Sequence, residues 1–368
     1  MVSFRIAGLC FIALILGFLS VPFRGLDQAN PVSSASGAKR ASQNDNQHDF
    51  DFDFGAWKTH SSRLLHPLTG STTWADTGGI TVVKKIWGGR ANIAEYKADG
   101  PAGHIELISL RWYNPAAHQW NLDFATPNVG TLGVPAVGEF KNGRADFYDE
   151  EPLNGKAILV RFSIWSITRD TAQSEQAFSE DGGKTWEMNW VNKYTRLNDQ
   201  TEIAWGPSGP AEQGAQHDFD FNFGTWHTQI KRILDPFTGS ENSMDLSGTV
   251  TVRKLWGGRA QLEEIETEGP NGHWEGLTLF LYNPEAHQWT QTFINSKQGV
   301  LASPLTGSFK NGLGELFSQD TFKDRIILVR GAWSDIKPDS HSYEESYSDD
   351  GGKTWKAAFI AHLTRRPN

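Results

Sequence analysis

Cysteine is almost missing from this chain: the single one, Cys10, sits in an apolar run near the N-terminus. Outside that run no disulfide, thiolate metal ligand, cysteine nucleophile or c-type haem attachment can be built. The residue before it is Leu9, where a lipoprotein signal wants Gly or Ala, which speaks against lipidation. Positive charge is also short. The formal net charge is −9 with no basic run, which argues against nucleic acid or an anionic membrane as a partner. No segment carries a sustained helical period. The one long apolar stretch, within "MVSFRIAGLCFIALILGFLSVPF", covers roughly fifteen residues, short of the ~20 that a membrane-spanning helix needs.

What is present begins with that stretch. Arg5 precedes it and Ser, Val and Pro end it, the pattern of a secretory signal. Residues 1–28 are read as the signal, with the cut near Ala29 or in the following "SSASGA". The expectation is an exported protein, periplasmic or extracellular, held to a membrane only if the run is retained as an anchor. Residues 29–47 offer little to bury and read as a disordered leader.

The chain then repeats itself. His48–Arg196 aligns with His217–Arg365 without insertion or deletion, sharing "WGGRA", "YNP", "AHQW", "FKNG", "ILVR" and "DGGKTW". Two domains, 48–196 and 217–365, follow, joined by a Gly- and Pro-containing linker at 197–216. Within a copy, short alternating runs are separated by the turn signals "WGGR", "DGPAG", "NPAAH", "KNG", "NG" and "DGG". That pattern predicts an all-β fold of two tandem, roughly ten-stranded, antiparallel up-and-down β-barrels. With 15 Trp and 22 Phe, their interiors should be rich in aromatics.

The residues that open and close each copy resemble a known superfamily. Gly55-Ala56-Trp57 with Arg196, and Gly224-Thr225-Trp226 with Arg365, are similar to the Gly-x-Trp and terminal Arg of the calycins, which include lipocalins, fatty-acid-binding proteins and nitrobindins. The chain is more closely similar to uncharacterised exported bacterial proteins with calycin-like barrels. The resemblance implies a Trp that plugs one barrel end, an Arg stacked across it, and a cup for a small molecule.

Two motifs suggest chemistry but read as architecture. "SEDGGKTW" and "SDDGGKTW" match the sialidase Asp-box, a hairpin in which the Asp (Asp181, Asp350) binds turn amides and the Trp (Trp186, Trp355) packs beneath. "HDFDFDFGAW" from His48 recurs as "HDFDFNFGTW" from His217, and the change of Asp53 to Asn222 weakens a shared metal role. His48, Asp49 and Asp51 are expected to bond to backbone at the barrel floor, with the acids outside the cup.

Candidate site residues come from comparing faces, because side chains two apart on a strand share one. On the first strand the face carrying Trp57, Thr59 and Arg63 matches Trp226, Thr228 and Arg232; on the third, Glu95 matches Glu264 while the other face drifts from Ala94 to Glu263; on the fourth, His104 and Glu106 match His273 and Glu275. Reading the agreeing faces as interior puts Arg63, Glu95, His104 and Glu106 in one cup, and Arg232, Glu264, His273 and Glu275 in the other. Glu95 is expected opposite Glu106 across the "DGPAG" hairpin. Such a cluster can orient the polar end of a partly apolar ligand, or supply general acid–base catalysis in a lyase, isomerase or glycan-acting hydrolase. A packing role with filled barrels also fits, as does, less well, a divalent metal on His-x-Glu plus one more Glu, or haem at His104 or His118. His118 and His287 read as turn histidines bonded to backbone. Arg161 with Glu175, and Arg330 with Glu344, are expected as directly opposed cross-strand ion pairs. The partner so implied is a small molecule, bound by a monomer whose two barrels pack together.

Overall fold

The computed structural model describes residues 46–100, 103–201, 214–239 and 242–366. The apolar run, nearly all of the leader and the middle of the linker lie outside the described residues, as do the expected cut sites. Among the described residues no helix is long and apolar enough to cross a membrane.

All ten strands expected in each copy form, and each set closes into an antiparallel barrel in which sequence neighbours pair and the last strand meets the first. The strands needed below are β1 (Gly55–Leu64), β2 (Trp74–Ile86), β3 (Ala91–Gly100), β4 (Gly103–Asn114), β5 (Gln119–Ala125), β8 (Lys156–Trp165), β9 (Thr171–Ser179) and β10 (Glu187–Asn198), with counterparts β11 (Gly224–Ile233) to β20 (Lys356–Arg365). β2 begins at Trp74, several residues before the alternation in sequence becomes regular at Ile80, because Arg63 and Leu64 supply it with pairing partners. Pairing partners, which sequence alternation does not show, set that strand end.

The closed end of each barrel is built as the Gly-x-Trp resemblance implies. Trp57 is fully buried, its Nε1 donates to the Asp53 carbonyl at 2.7 Å, and the Arg196 guanidinium lies 4.1 Å from the ring centroid. Arg196 also donates to the Phe54 carbonyl at 2.7 Å and to that of Phe52. Trp226 and Arg365 repeat this at 4.0 Å. Gly55 has φ +121°, and a Cβ there would meet the Asn198 carbonyl at 2.6 Å. Only glycine lets the returning strand come this close.

The two barrels share one core. Ile86, Trp87, Ala91, Ile93, Ile108, Leu110 and Trp112 cluster with Leu255, Trp256, Ala260, Leu262, Leu277, Leu279 and Leu281. Each of these has its equivalent, one repeat later, in the same cluster. Contact of a patch with its own copy is the signature of a twofold, isologous interface. The polar contacts obey it as well. Arg90 Nη2 reaches Glu275 Oε2 at 2.5 Å, and Arg259 Nη2 reaches Glu106 Oε2 at 2.5 Å. Two loop glycines complete it: a Cβ on Gly130 would strike Asn283 Cα at 2.5 Å, and one on Gly299 would strike Asn114 Cα at 2.6 Å.

Glu106 is 7 % exposed. Burial pushes its carboxyl up, but Lys97 and Arg259 more than offset this and leave it below the ordinary range. A carboxylate depressed in the folded state contributes stability that is present above its unfolded pKa and lost as pH falls through the folded one. Arg259→Ala is therefore expected to lower the unfolding free energy by about 2 kcal/mol at neutral pH, with the deficit shrinking on acidification. Urea unfolding as a function of pH checks this, and a deficit that grows as pH falls would contradict it.

Candidate functional site

The strand register moves most of the expected site out of the cup. Across the β3–β4 hairpin, Glu95 faces Ile108, and Glu106 faces Lys97; the expected Glu95–Glu106 opposition does not occur. Glu95 shares its face with Ala91 and Ile93, which pack against the other barrel. It is 1 % exposed, with the Lys84 ammonium 3.3 Å away. Its counterpart Glu264 pairs with Arg253, the equivalent of Lys84. His104 lies at the rim of the same outer face, its Nδ1 2.8 Å from Asp99 and its Nε2 3.6 Å from Glu106. His273 repeats this with Glu268 at 2.8 Å and Glu275 at 3.6 Å. These six acidic and histidine residues dress the seam between barrels, and neither acid pair is set for acid–base work inside a cup.

The cause of the misassignment is physical. Equal residues in two copies mark a face that both copies must keep, and the twofold seam imposes that on the outside of β3 and β4. On β1 the agreeing face does point inward. Arg63 is exposed at the open end, its guanidinium 5.8 Å from the Trp190 ring centroid, and Arg232 lines the cavity of the second barrel.

The remaining expectations resolve locally. Asp181 Oδ1 accepts from the Lys184 and Thr185 amides at 3.0 Å each, and the Thr185 amide and hydroxyl, then Ser179, hold its carboxyl down to about 2. Asp350 binds its turn in the same way. His48 bonds to the Asp51 side chain at 3.4 Å, and not to backbone as expected; His217 and Asp220 repeat this at 3.0 Å. His118 and His287 face Tyr113 and Tyr282 hydroxyls, each at 3.2 Å, where backbone was expected. Arg161 sits opposite Ala177 and reaches Glu175 diagonally at 3.5 Å; Arg330 reaches Glu344 at 3.6 Å. Asp53 is not outside the cup: it pairs with Arg111 on the inward face of β4. Among the described residues no group of three or more His, Cys, Asp or Glu side chains is placed to hold a metal ion.

The cavity lies within the second barrel and has a volume of ≈ 390 Å³. Ile230, Val250, Leu305, Ile327 and Val329 give it apolar walls, and its polar lining includes Glu263, Gln291, His341, Tyr343, Glu345 and Tyr347. The positions that differ between copies make this difference. Ala94, Leu122, Phe162, Ala172, Ser174 and Gln176 of the first barrel stand where the second has Glu263, Gln291, Gly331, His341, Tyr343 and Glu345. Phe162 is buried in the core of the first barrel; at Gly331 that ring is gone, and the Tyr343 ring packs against the place a Cβ would take, its hydroxyl 3.0 Å away.

The floor is rewired to match. Asn222, in the place of Asp53, donates from Nδ2 to Glu263 Oε2 at 3.3 Å, and Thr278 Oγ1 donates to Oε1 at 3.2 Å. Burial raises the Glu263 carboxyl despite these two bonds. Glu345 accepts from Tyr347 Oη at 2.9 Å and is likewise raised by burial. Thr228 Oγ1, Gln291 Oε1 and His341 Nδ1 are buried cavity-lining atoms without a hydrogen-bond partner in the protein. The signal in sequence was the drifting face itself, Ala94 against Glu263.

No protein-family model matches the chain. A comparison with curated proteins gives no match either. Among solved structures, the S-type phycobiliprotein lyase CPES from Guillardia theta is similar at 13% identity over 43% of this chain and 95% of its own, with a TM-score of 0.31. A DUF3598-family protein from Nostoc punctiforme is similar at 11% identity over 87% and 99%, with a TM-score of 0.22. Transferrin-binding protein B from Haemophilus parasuis matches at 8% identity over 85% and 76%, with a TM-score of 0.16. At such scores the likeness carries no argument about activity, which rests on the chain's own geometry.

His341 supplies a direct check of the site. It is 3 % exposed, its ring is 4.5 Å from that of Trp226 and 5.1 Å from that of Phe221, and burial with the Arg365 charge lowers its pKa from 6.5 to about 4. The unfolded chain binds this proton more readily, so stability from the neutral ring is full above 6.5 and lost as pH falls towards about 4. NMR titration is expected to find His341 neutral until about pH 4. A midpoint near the ordinary histidine value would show that the ring is not buried as described.

Proposed function

We propose that the protein is an exported, monomeric small-molecule-binding protein of calycin-like architecture, with its ligand held in the second barrel. The observation that carries this reading is the ≈ 390 Å³ cavity, of the size and mixed lining typical of small-molecule sites. Apolar walls would take the body of the ligand, and the Glu263, Gln291, Tyr343 and Glu345 group its polar end. The first barrel, whose Phe162 stands where the second has Gly331, serves as the partner that buries the outer face of β13 (Ala260–Glu268) and β14 (Trp274–Asn283). Export is supported by the Arg5-led apolar run.

Converting the second interior towards the first tests the reading. Gly331→Phe with Tyr343→Ser exchanges one aromatic ring for another at the site and is expected to keep the fold while obstructing the cavity. Titration with the neutral apolar fluorophore N-phenylnaphthylamine should show saturable binding to the native chain and at least a tenfold loss, about 1.4 kcal/mol, in the double variant. Binding that the double variant leaves untouched would place the ligand elsewhere.

A further inference from the structure

The charge inside the two barrels is balanced in different ways. In the first, Asp53 is paired with Arg111, whose guanidinium also lies 4.9 Å from the Phe50 ring centroid. In the second, Asn222 replaces Asp53, Phe280 replaces Arg111, and a carboxyl enters as Glu263 where the first has Ala94. The acid has moved, and its cation has gone. Glu263 is held by two neutral donors, Asn222 and Thr278. Of the charged side chains lining the cavity, Glu263, Asp320 and Glu345 are acidic and Arg232 alone is basic. Arg232 stands at the open end of β11, ten residues beyond the Asn222 floor in sequence, and offsets Glu345 and not Glu263. A carboxylate kept in an apolar cup without a cation is costly, so the group either holds a proton or gains from a cation brought to it.

The orphaned polar atoms have the same polarity preference. Gln291 Oε1 can only accept a hydrogen bond, Thr228 Oγ1 can accept one, and so can His341 Nδ1 when the neutral ring carries its proton on Nε2. The orphaned donor on the lining, Trp274 Nε1, is four residues along β14 from Thr278, about 13 Å towards the mouth. Deep in the cup, then, acceptors are in excess. Aromatic faces stand beside them: Trp333 and Tyr343 have centroids 4.8 Å apart, and Tyr343 and Phe359 6.1 Å. Ring faces and carboxylates together are what a desolvated organic cation binds.

We propose that the second barrel selects molecules carrying a protonated amine on an apolar body, the ammonium seated beside Glu263 and donating to the acceptors around it, with Tyr343 and Trp333 against the carbon adjoining it. This rests on the binding reading given above and adds the chemical class of the ligand. The ammonium does for Glu263 what Arg111 does for Asp53. The three donors of an ammonium match Glu263, Gln291 and His341 in number.

Isothermal titration of the full chain with octylamine, octanol and octanoate, which share one apolar body, separates the two claims. Octylamine is expected to bind at least tenfold tighter than octanol, and octanoate more weakly than either. Glu263→Gln should bring octylamine to the level of octanol and leave octanol unchanged. Glu345→Gln should reduce the preference for octylamine by severalfold, and it provides the reading if Glu263→Gln does not fold. Equal affinity of the native chain for octylamine and octanol, or a preference that survives both substitutions, overturns the proposal while leaving a binding cup. Failure of all three probes to bind overturns both.

Discussion

Ile93, Ile108 and Leu110 of one barrel pack on Leu262, Leu277 and Leu279 of the other, and the crossed pairs Arg90–Glu275 and Arg259–Glu106 lock the edge of that face. A substitution there is felt by both barrels, because each residue packs in one cluster with its equivalent in the other copy. A barrel strand normally turns one side to water. Here the outer sides of β3, β4, β13 and β14 are dry too where Ala91, Ile93, Ile108, Leu110, Ala260, Leu262, Leu277 and Leu279 meet. The face has therefore stayed alike in both copies, down to charges such as Glu95 and Glu264 that look like site residues in isolation.

The interiors carry no such constraint, and they have separated. Trp57 and Trp226 with their arginines close the same end in the same way, because that closure is needed to make either barrel. Above the plug, Phe147 and Phe162 of the first barrel give way to Leu316 and Gly331, and the second barrel carries Glu263, Gln291, His341 and Tyr343 where the first has Ala94, Leu122, Ala172 and Ser174. Duplication thus leaves one copy to supply a buried partner face and frees the other to hold a carboxyl-lined cavity.

The fold was legible in the sequence because its determinants are local. Turn signals such as "KNG" and "DGG" placed the strand ends, and Gly55-x-Trp57 with Arg196 identified the plug because each contact there is made by the motif itself. The site was not legible in the same way. Alternation separates the two faces of a strand without saying which is inside, and on β3 and β4 both are buried. Agreement between copies then selected Glu95 and Glu106, which keep the seam, over Ala94/Glu263, which differ. Asp53 was missed as an interior group since its partner Arg111 is fixed by register across the barrel and by nothing near it in sequence. Tyr343, Glu345 and His341 lie on β19 (Ser340–Ser348), whose charged and polar composition resembles a solvated strand until the barrel closes around it.

The central claim is that residues alike in the two copies hold the barrels together, and residues that differ hold the ligand. A crystal structure of the full chain soaked with an apolar amine tests it most directly. The account predicts density inside the second barrel, against Glu263, Gln291 and Tyr343, with the Arg259–Glu106 contact intact. Density between the barrels, against Glu95, Glu106, Glu264 or Glu275, would contradict it.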